Sequence, residues 1–261
     1  MANQFSVIGN WKMHGTIPHA ASFINELITQ VNAAQGDCCH IAICPPDILI
    51  PHFQASLKGN SSIRIGAQNV SEHESGAYTG QVSGAMLVEH GCHYVIVGHS
   101  ERRAYNHETD PMIAAKFFAA QSKGLTPILC VGETKAQREA GSTNEIIMSQ
   151  LACIFEQRGA ESFRGAVIAY EPVWAIGTGL SATPEQAEDV HHLLRQTLAK
   201  YDTELAQSIP IIYGGSVKPS TAQALFSMPN INGALVGGAS LSISDFWGIC
   251  MAANSLMHKG K

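Results

Sequence analysis

Short, continuous apolar runs rich in β-branched residues recur along the chain at Phe5–Gly9, His40–Cys44, Ile63–Ala67, Tyr94–Gly98, Thr126–Cys130, Ala166–Tyr170, Ile209–Tyr213 and Gly233–Val236. Runs with no polar alternation suit strands buried on both faces, as in a parallel sheet. Between them the apolar period changes to that of a helix. Ala20, Phe23, Ile24, Leu27 and Val31 form one stripe, and Val190, Leu193, Leu194 and Leu198 form another. Helix punctuation agrees with this division. Asp110-Pro111 offers an N-cap followed by proline, and Gly124 closes that helix. Thr183-Pro184-Glu185-Gln186 is a capping box, and Lys218-Pro219-Ser220 opens a helix after the seventh run. Eight strand–helix repeats without a low-complexity linker predict an α/β fold, a closed (β/α)8 barrel, with an open doubly wound sheet as the alternative.

Length and composition narrow the picture. A chain of 261 residues fits one barrel domain spanning 1–261. Hydrophobic residues at 45 % and charged residues at 14 % exclude a disordered chain and support a sizeable core. The net charge of -5, with no basic stripe, argues against a nucleic-acid partner. It does not exclude a small anionic substrate, which responds to a local field. The seven cysteines are odd in number and lack a C-x-x-C or zinc spacing, so they are read as reduced, which predicts a cytoplasmic protein. The N-terminal residues lack a signal-peptide pattern, and no apolar run is long enough to span a membrane.

Barrel active sites lie beyond the C-terminal ends of the strands. There the chain places Asn10-Trp11-Lys12, Gln68-Asn69, His99-Ser100-Glu101, Glu171-Pro172, Gly214-Gly215-Ser216 and Gly237-Gly238. The two glycine pairs follow the seventh and eighth runs, where backbone N–H groups can close on a phosphate. Lys12 suits the charge of that phosphate or of an electron-rich carbonyl; a Schiff base is its rival chemistry. Glu171 ends an apolar run, a costly place for a carboxylate, and suits a general base acting next to a carbonyl. His99 faces the same rim, ahead of a helix start whose positive potential would keep the imidazole neutral. A salt bridge for Glu171 and a satisfied structural role for His99 are the plainer alternatives. His191-His192 are adjacent on a helix and cannot share a metal, and no metal or dinucleotide fingerprint is present, so no cofactor is expected.

The segments Gly9–Lys12, Gly66–Asn69, Gly98–Arg103, Ala169–Gly179, Tyr213–Val217 and Leu235–Ala239 resemble the triosephosphate isomerase family over nearly the whole chain. The resemblance implies the TIM-barrel fold, a place in glycolysis and gluconeogenesis, and interconversion of glyceraldehyde 3-phosphate and dihydroxyacetone phosphate through an enediolate. It makes Glu171 the proton shuttle, His99 the neutral electrophile, and Lys12 and Asn10 the groups that steady the oxyanion. Ser100 and Glu101 would support them from behind. Backbone at Gly177, Ser216, Gly237 and Gly238 would hold the phosphate, beneath a lid from Pro172 to Thr183. It also implies a homodimer in which the loop Ser71–Ser83 carries Thr79 into the partner's site. A Schiff-base aldolase and a non-catalytic sugar-phosphate-binding barrel are the competing functions. Three residues depart from the family pattern: Leu180 in the lid's second hinge, Gln81 beside Arg102, and His14 after Lys12-Met13.

Overall fold

The computed structural model describes residues 5–34, 38–57, 59–176 and 181–257. Its strands are β1 (Ser6–Asn10), β2 (His40–Cys44), β3 (Ile63–Ala67), β4 (Cys92–Val97), β5 (Thr126–Val131), β6 (Val167–Tyr170), β7 (Ile211–Tyr213) and β8 (Gly233–Val236). Each pairs in parallel with its sequence neighbour, and β8 returns to β1, closing the barrel. The open-sheet alternative is thereby excluded.

Three of the eight strands coincide with their apolar runs, and the others shift at their ends. β1 takes in Asn10, which pairs in register with Cys44. β4 begins at Cys92, two residues early, where the pairing with β3 shifts register between Ile65 and Gly66. It stops at Val97 because Gly98 turns into the left-handed region at φ 72°. β7 begins only after Pro210, which has no N–H to give a ladder.

The period of two along each strand sorts the core into two layers. Ile8, Ala42, Ile96, Ile128, Cys130, Val167, Ala169, Ile212 and Leu235 fill the barrel's interior. The alternate positions, such as Val7, Ile41, Val95, Leu129 and Ile168, face the surrounding helices. All five stripe residues of helix Ile17–Ala33 are buried; in helix Pro184–Ala199, Val190, Leu194 and Leu198 are buried and Leu193 is half-buried. The Thr183–Gln186 capping box forms as the sequence predicts. The expected Asp110 cap does not. Thr109, in extended backbone, is the N-cap, and Asp110 enters the helix, where its carboxylate accepts from Arg103 Nη1 at 2.5 Å. The carboxylate expected to cap the helix is thus engaged in an ion pair.

Candidate active site

The inward parity of β1 and β6 sets the direction of the side chains at the rim. Ile8 points into the barrel, so Asn10 does too, one step higher; Val167 and Ala169 likewise aim Glu171 inward. Both rim side chains are buried, Glu171 to 2 % exposure. Gly98 breaks the parity after β4 and delivers His99 to the same place. A Cβ on Gly98 would also meet Ile113 at 3.0 Å, so both the turn and the packing demand glycine.

Glu171 and His99 touch. His99 Nε2 lies 2.9 Å from Glu171 Oε1, and the Ser100 amide donates to Glu171 Oε2 at 2.9 Å. His99 is itself the N-cap of helix Ser100–Tyr105, with Nδ1 accepting the Glu101 amide at 3.2 Å. An imidazole that accepts at Nδ1 carries its proton on Nε2, so Nε2–H is the donor to Glu171. The predicted helix start is present, but a carboxylate faces the other nitrogen. Burial alone would lower the His99 pKa; the Glu171 carboxylate, with a smaller contribution from Glu101, outweighs burial and Lys12 and raises the imidazole above its ordinary 6.5. Burial alone would raise Glu171; His99, the Ser100 amide and Lys12 outweigh it and hold the carboxyl below its ordinary 4.5. The positive potential of the helix start, expected to keep His99 neutral, therefore acts together with a facing carboxylate in this resting geometry. Glu171→Gln removes the larger of the two carboxylate contributions and leaves burial in place, so the His99 pKa should fall from its raised position. An NMR titration of the imidazole checks this, and an unchanged or higher value would contradict the assigned cause.

Lys12 sits in the left-handed region at φ 51°, uncommon for a residue with a side chain. Several bonds hold it there. Its amide donates to Asn10 Oδ1 at 3.0 Å, and Gln68 Nε2 donates to both the Lys12 and Cys44 carbonyls at 2.9 Å. Asn10 thus shapes the loop as well as lining the cavity. Lys12 Nζ reaches Glu101 Oε1 at 2.6 Å. Of the two residues expected behind the site, Glu101 is the direct partner of the lysine, and Ser100 acts through its backbone.

A cavity of about 730 Å³ opens at this rim, lined among others by Lys12, His99, Glu171, Ser216, Gly237 and Gly238. Close packing explains one glycine pair. A Cβ on Gly214 would lie 2.9 Å from Glu171 Cγ, and one on Gly215 would lie 2.2 Å from the Tyr213 hydroxyl. Gly237 has a different neighbour: its Cβ would stand 3.6 Å from Lys12 Cε. The predicted phosphate glycines and the predicted lysine therefore lie side by side. Gly177 and Leu180 fall outside the described residues. Thr79 is exposed in the segment 71–83, and His14 lines the cavity from an exposed position. Gln81 Oε1 accepts the Ser71 hydroxyl, while Arg102 Nε donates to Glu108 at 2.6 Å.

One further carboxylate at the rim escapes a reading of the sequence. Glu133, fully buried after β5, accepts from the Tyr170 hydroxyl at 3.1 Å, Trp174 Nε1 at 3.0 Å and Arg138 Nη1 at 2.8 Å. It ties the start of the segment after Glu171 to the barrel. Its signal is the same as that of Glu171, a carboxylate just beyond an apolar run. Burial pushes the Tyr213 phenol, at the end of β7, up to about 12. His191 is buried, with its pKa lowered to about 3 by burial, whereas His192 is exposed, so the two rings face different surroundings.

Comparison with known proteins bears on these features. The triosephosphate isomerase family model matches residues 5–253. A triosephosphate isomerase of Stenotrophomonas maltophilia (strain R551-3) is 52 % identical over 250 residues, covering 95 % of this chain and 97 % of that protein. One of Dechloromonas aromatica (strain RCB) is 48 % identical over 248 residues, covering 95 % and 98 %. One of Shewanella loihica (strain ATCC BAA-1088 / PV-4) is 47 % identical over 255 residues, covering 95 % and 97 %.

Proposed function

The chain belongs to the triosephosphate isomerase family, and from that premise we propose that Glu171, His99 and Lys12 carry the isomerisation of a triose phosphate. Glu171 takes a proton from the carbon beside the carbonyl and returns it to the neighbouring carbon. The carbonyl oxygen becomes an enediolate oxygen, and the other oxygen loses or gains a proton in the same passage. A glutamate base working with a neutral imidazole is this family's own precedent, and the division of roles is carried over from it. The observation that carries the reading here is the buried contact of 2.9 Å between Glu171 and the donor nitrogen of His99, at a cavity shared with Lys12.

That contact describes a resting state with its donor and acceptor joined to each other. Substrate entry separates them. The Nε2–H of His99 turns to the carbonyl oxygen, and Glu171 leaves His99 and the Ser100 amide for the carbon-bound proton. Once Glu171 has turned away, burial, Lys12 and the Glu101 amide at Nδ1 favour a neutral imidazole against the Glu101 carboxylate, and a neutral imidazole donates without being an acid strong enough to lose its own proton first. Lys12 opposes the charge on the enediolate and on the phosphate, and Asn10 holds the lysine loop in place. Backbone at Ser216, Gly237 and Gly238 binds the phosphate, and the family resemblance adds Gly177, outside the described residues. The same resemblance makes 172–183 a lid that closes over the phosphate and excludes water. A coupled assay converting glyceraldehyde 3-phosphate to dihydroxyacetone phosphate tests the reading; activity that survives Glu171→Gln at the wild-type rate would remove it.

The Schiff-base alternative is disfavoured by the ion pair of Lys12 Nζ with Glu101 at 2.6 Å, because an ammonium so engaged has no lone pair to offer a carbonyl. Borohydride in the presence of substrate should leave Lys12 unmodified.

Assembly and location complete the proposal: one domain over 1–261, acting as a homodimer in the cytoplasm, in glycolysis and gluconeogenesis. All seven cysteines are thiols, in keeping with a reducing compartment. Among the described residues, no helix is long and apolar enough to cross a membrane. Met13, beside Lys12, is 93 % exposed, and Tyr78 and Thr79 are exposed on the 71–83 segment, which suits a surface covered by a second copy. Thr79→Asp places a carboxylate in that contact, a costly burial without a partner. Sedimentation should then show a monomer, and activity should fall with it; a fully active monomer would refute the shared site.

A further inference from the structure

The backbone of Gly237 and Gly238 has no side chains of its own to anchor it, so its position depends on what holds the rest of its turn. The turn Gly238–Leu241 is short, and its leading and trailing ends are linked: Ser240 N and Ser240 Oγ both donate to the Gly237 carbonyl, at 2.8 and 2.7 Å. At the trailing end, two successive carbonyls receive donors from two stacked rings. Trp11 Nε1 donates to the Ser240 carbonyl at 2.9 Å, and His19 Nε2 lies 3.0 Å from the Leu241 carbonyl. A carbonyl only accepts, so Nε2 of His19 carries the proton.

The two rings brace one another. His19 lies over Trp11 with centroids 4.8 Å apart and planes 16° from parallel. Trp11 is fully buried and wedged edge-on against Phe23 and Phe53, at 5.1 Å each. His19 is placed by the first turn of helix Ile17–Ala33, where its amide donates to Thr16 Oγ1 at 3.3 Å. The helix, the end of β1 and the turn after β8 therefore meet at one stacked pair, and Trp11 directly precedes Lys12.

We propose that His19 is a positioning residue for the phosphate-binding backbone at Gly237 and Gly238. This rests on the phosphate reading given above. His19 touches no substrate atom; by holding the Leu241 carbonyl and covering Trp11, it keeps the glycine amides in register with the lysine across the anion. A substrate without a phosphate gains nothing from that register, so His19 sets preference for phosphorylated over unphosphorylated substrate.

His19→Phe keeps a ring on Trp11 and removes the donor, whereas His19→Gln supplies a donor again. For His19→Phe, the inhibition constant of inorganic phosphate and the KM for glyceraldehyde 3-phosphate should each rise by about fivefold, the scale of one lost hydrogen bond. kcat should fall by a smaller factor. The ratio of kcat/KM for glyceraldehyde 3-phosphate to that for glyceraldehyde should drop by about fivefold. His19→Gln should recover most of each loss. Wild-type phosphate affinity in His19→Phe, or equal losses on both substrates with no recovery in His19→Gln, would overturn the proposal. Phosphate that fails to inhibit the wild-type protein would instead sink the phosphate reading itself. If His19→Phe does not fold, the comparison of His19→Gln with His19→Asn, one methylene shorter, asks the same question.

Discussion

Glu171→Asp lowers kcat by about 100-fold or more while KM changes much less. The substitution keeps the charge and withdraws the carboxylate by one methylene. Glu171 begins from a defined resting place, with one oxygen on His99 Nε2 and the other on the Ser100 amide, each at 2.9 Å. From there it must reach a carbon-bound proton, and a shortfall near 1 Å is worth about 100-fold in rate. The backbone cannot follow the shortened side chain: the Glu171 amide donates to the Val131 carbonyl at 2.7 Å, and the Glu171 carbonyl lies against Gly132, where even a Cβ would approach to 1.8 Å. Binding of the phosphate is left to other residues, which is why KM is spared. Steady-state kinetics in both directions measure the split, and a variant retaining more than half of wild-type kcat would take Glu171 out of the chemistry.

Lys12→Met lowers kcat/KM by about 100- to 1,000-fold and weakens a phosphate-bearing inhibitor. At 4 Å and an effective dielectric near 20, one pair of unit charges is worth about 4 kcal/mol, close to three powers of ten. Partial exposure of the Lys12 side chain, at 27 %, brings the expectation below that ceiling. Removing the lysine also strips Glu101 of the cation 2.6 Å away and leaves a bare carboxylate beside the anion site. Combining Lys12→Met with Glu101→Gln separates the two effects: any activity the second change restores is the part due to Glu101. Because the same charge serves ground state and transition state, both KM and kcat should suffer. Inhibitor affinity equal to wild type across a salt series would make Lys12 an ordinary surface residue.

The strands are local in origin, and so is their legibility. An unbroken apolar run declares a strand covered on both faces wherever it occurs, and the period of two then decides which residues share a side. Asn10 follows Ile8 inward, and Glu171 follows Val167 and Ala169, by that period alone. The Thr183–Gln186 cap needs four consecutive residues and is readable for the same reason. Asp110 shows where such local rules stop. Its own neighbours favour a cap, but Arg103, brought close by the turn after β4, binds the carboxylate instead. The family's motifs point to the residues proposed for catalysis, while their pairwise contacts lie beyond any motif.

What the amino-acid sequence determined by itself was the supply: which side chains stand at the ends of which strands, and which backbone stretches are bare enough to meet a phosphate. Barrel closure decided how they are coupled. Lys12 meets Glu101 across 89 residues, the Ser100 amide meets Glu171 across 71, and Trp11 meets the Ser240 carbonyl across 229. Only the return of β8 to β1 brings the last pair together. The direction of the His99 pKa shift belongs to the same class. Its helix start is written into Ser100–Arg103, but the carboxylate that opposes it arrives from β6, because a pKa answers to distance in space and the sequence records only distance along the chain.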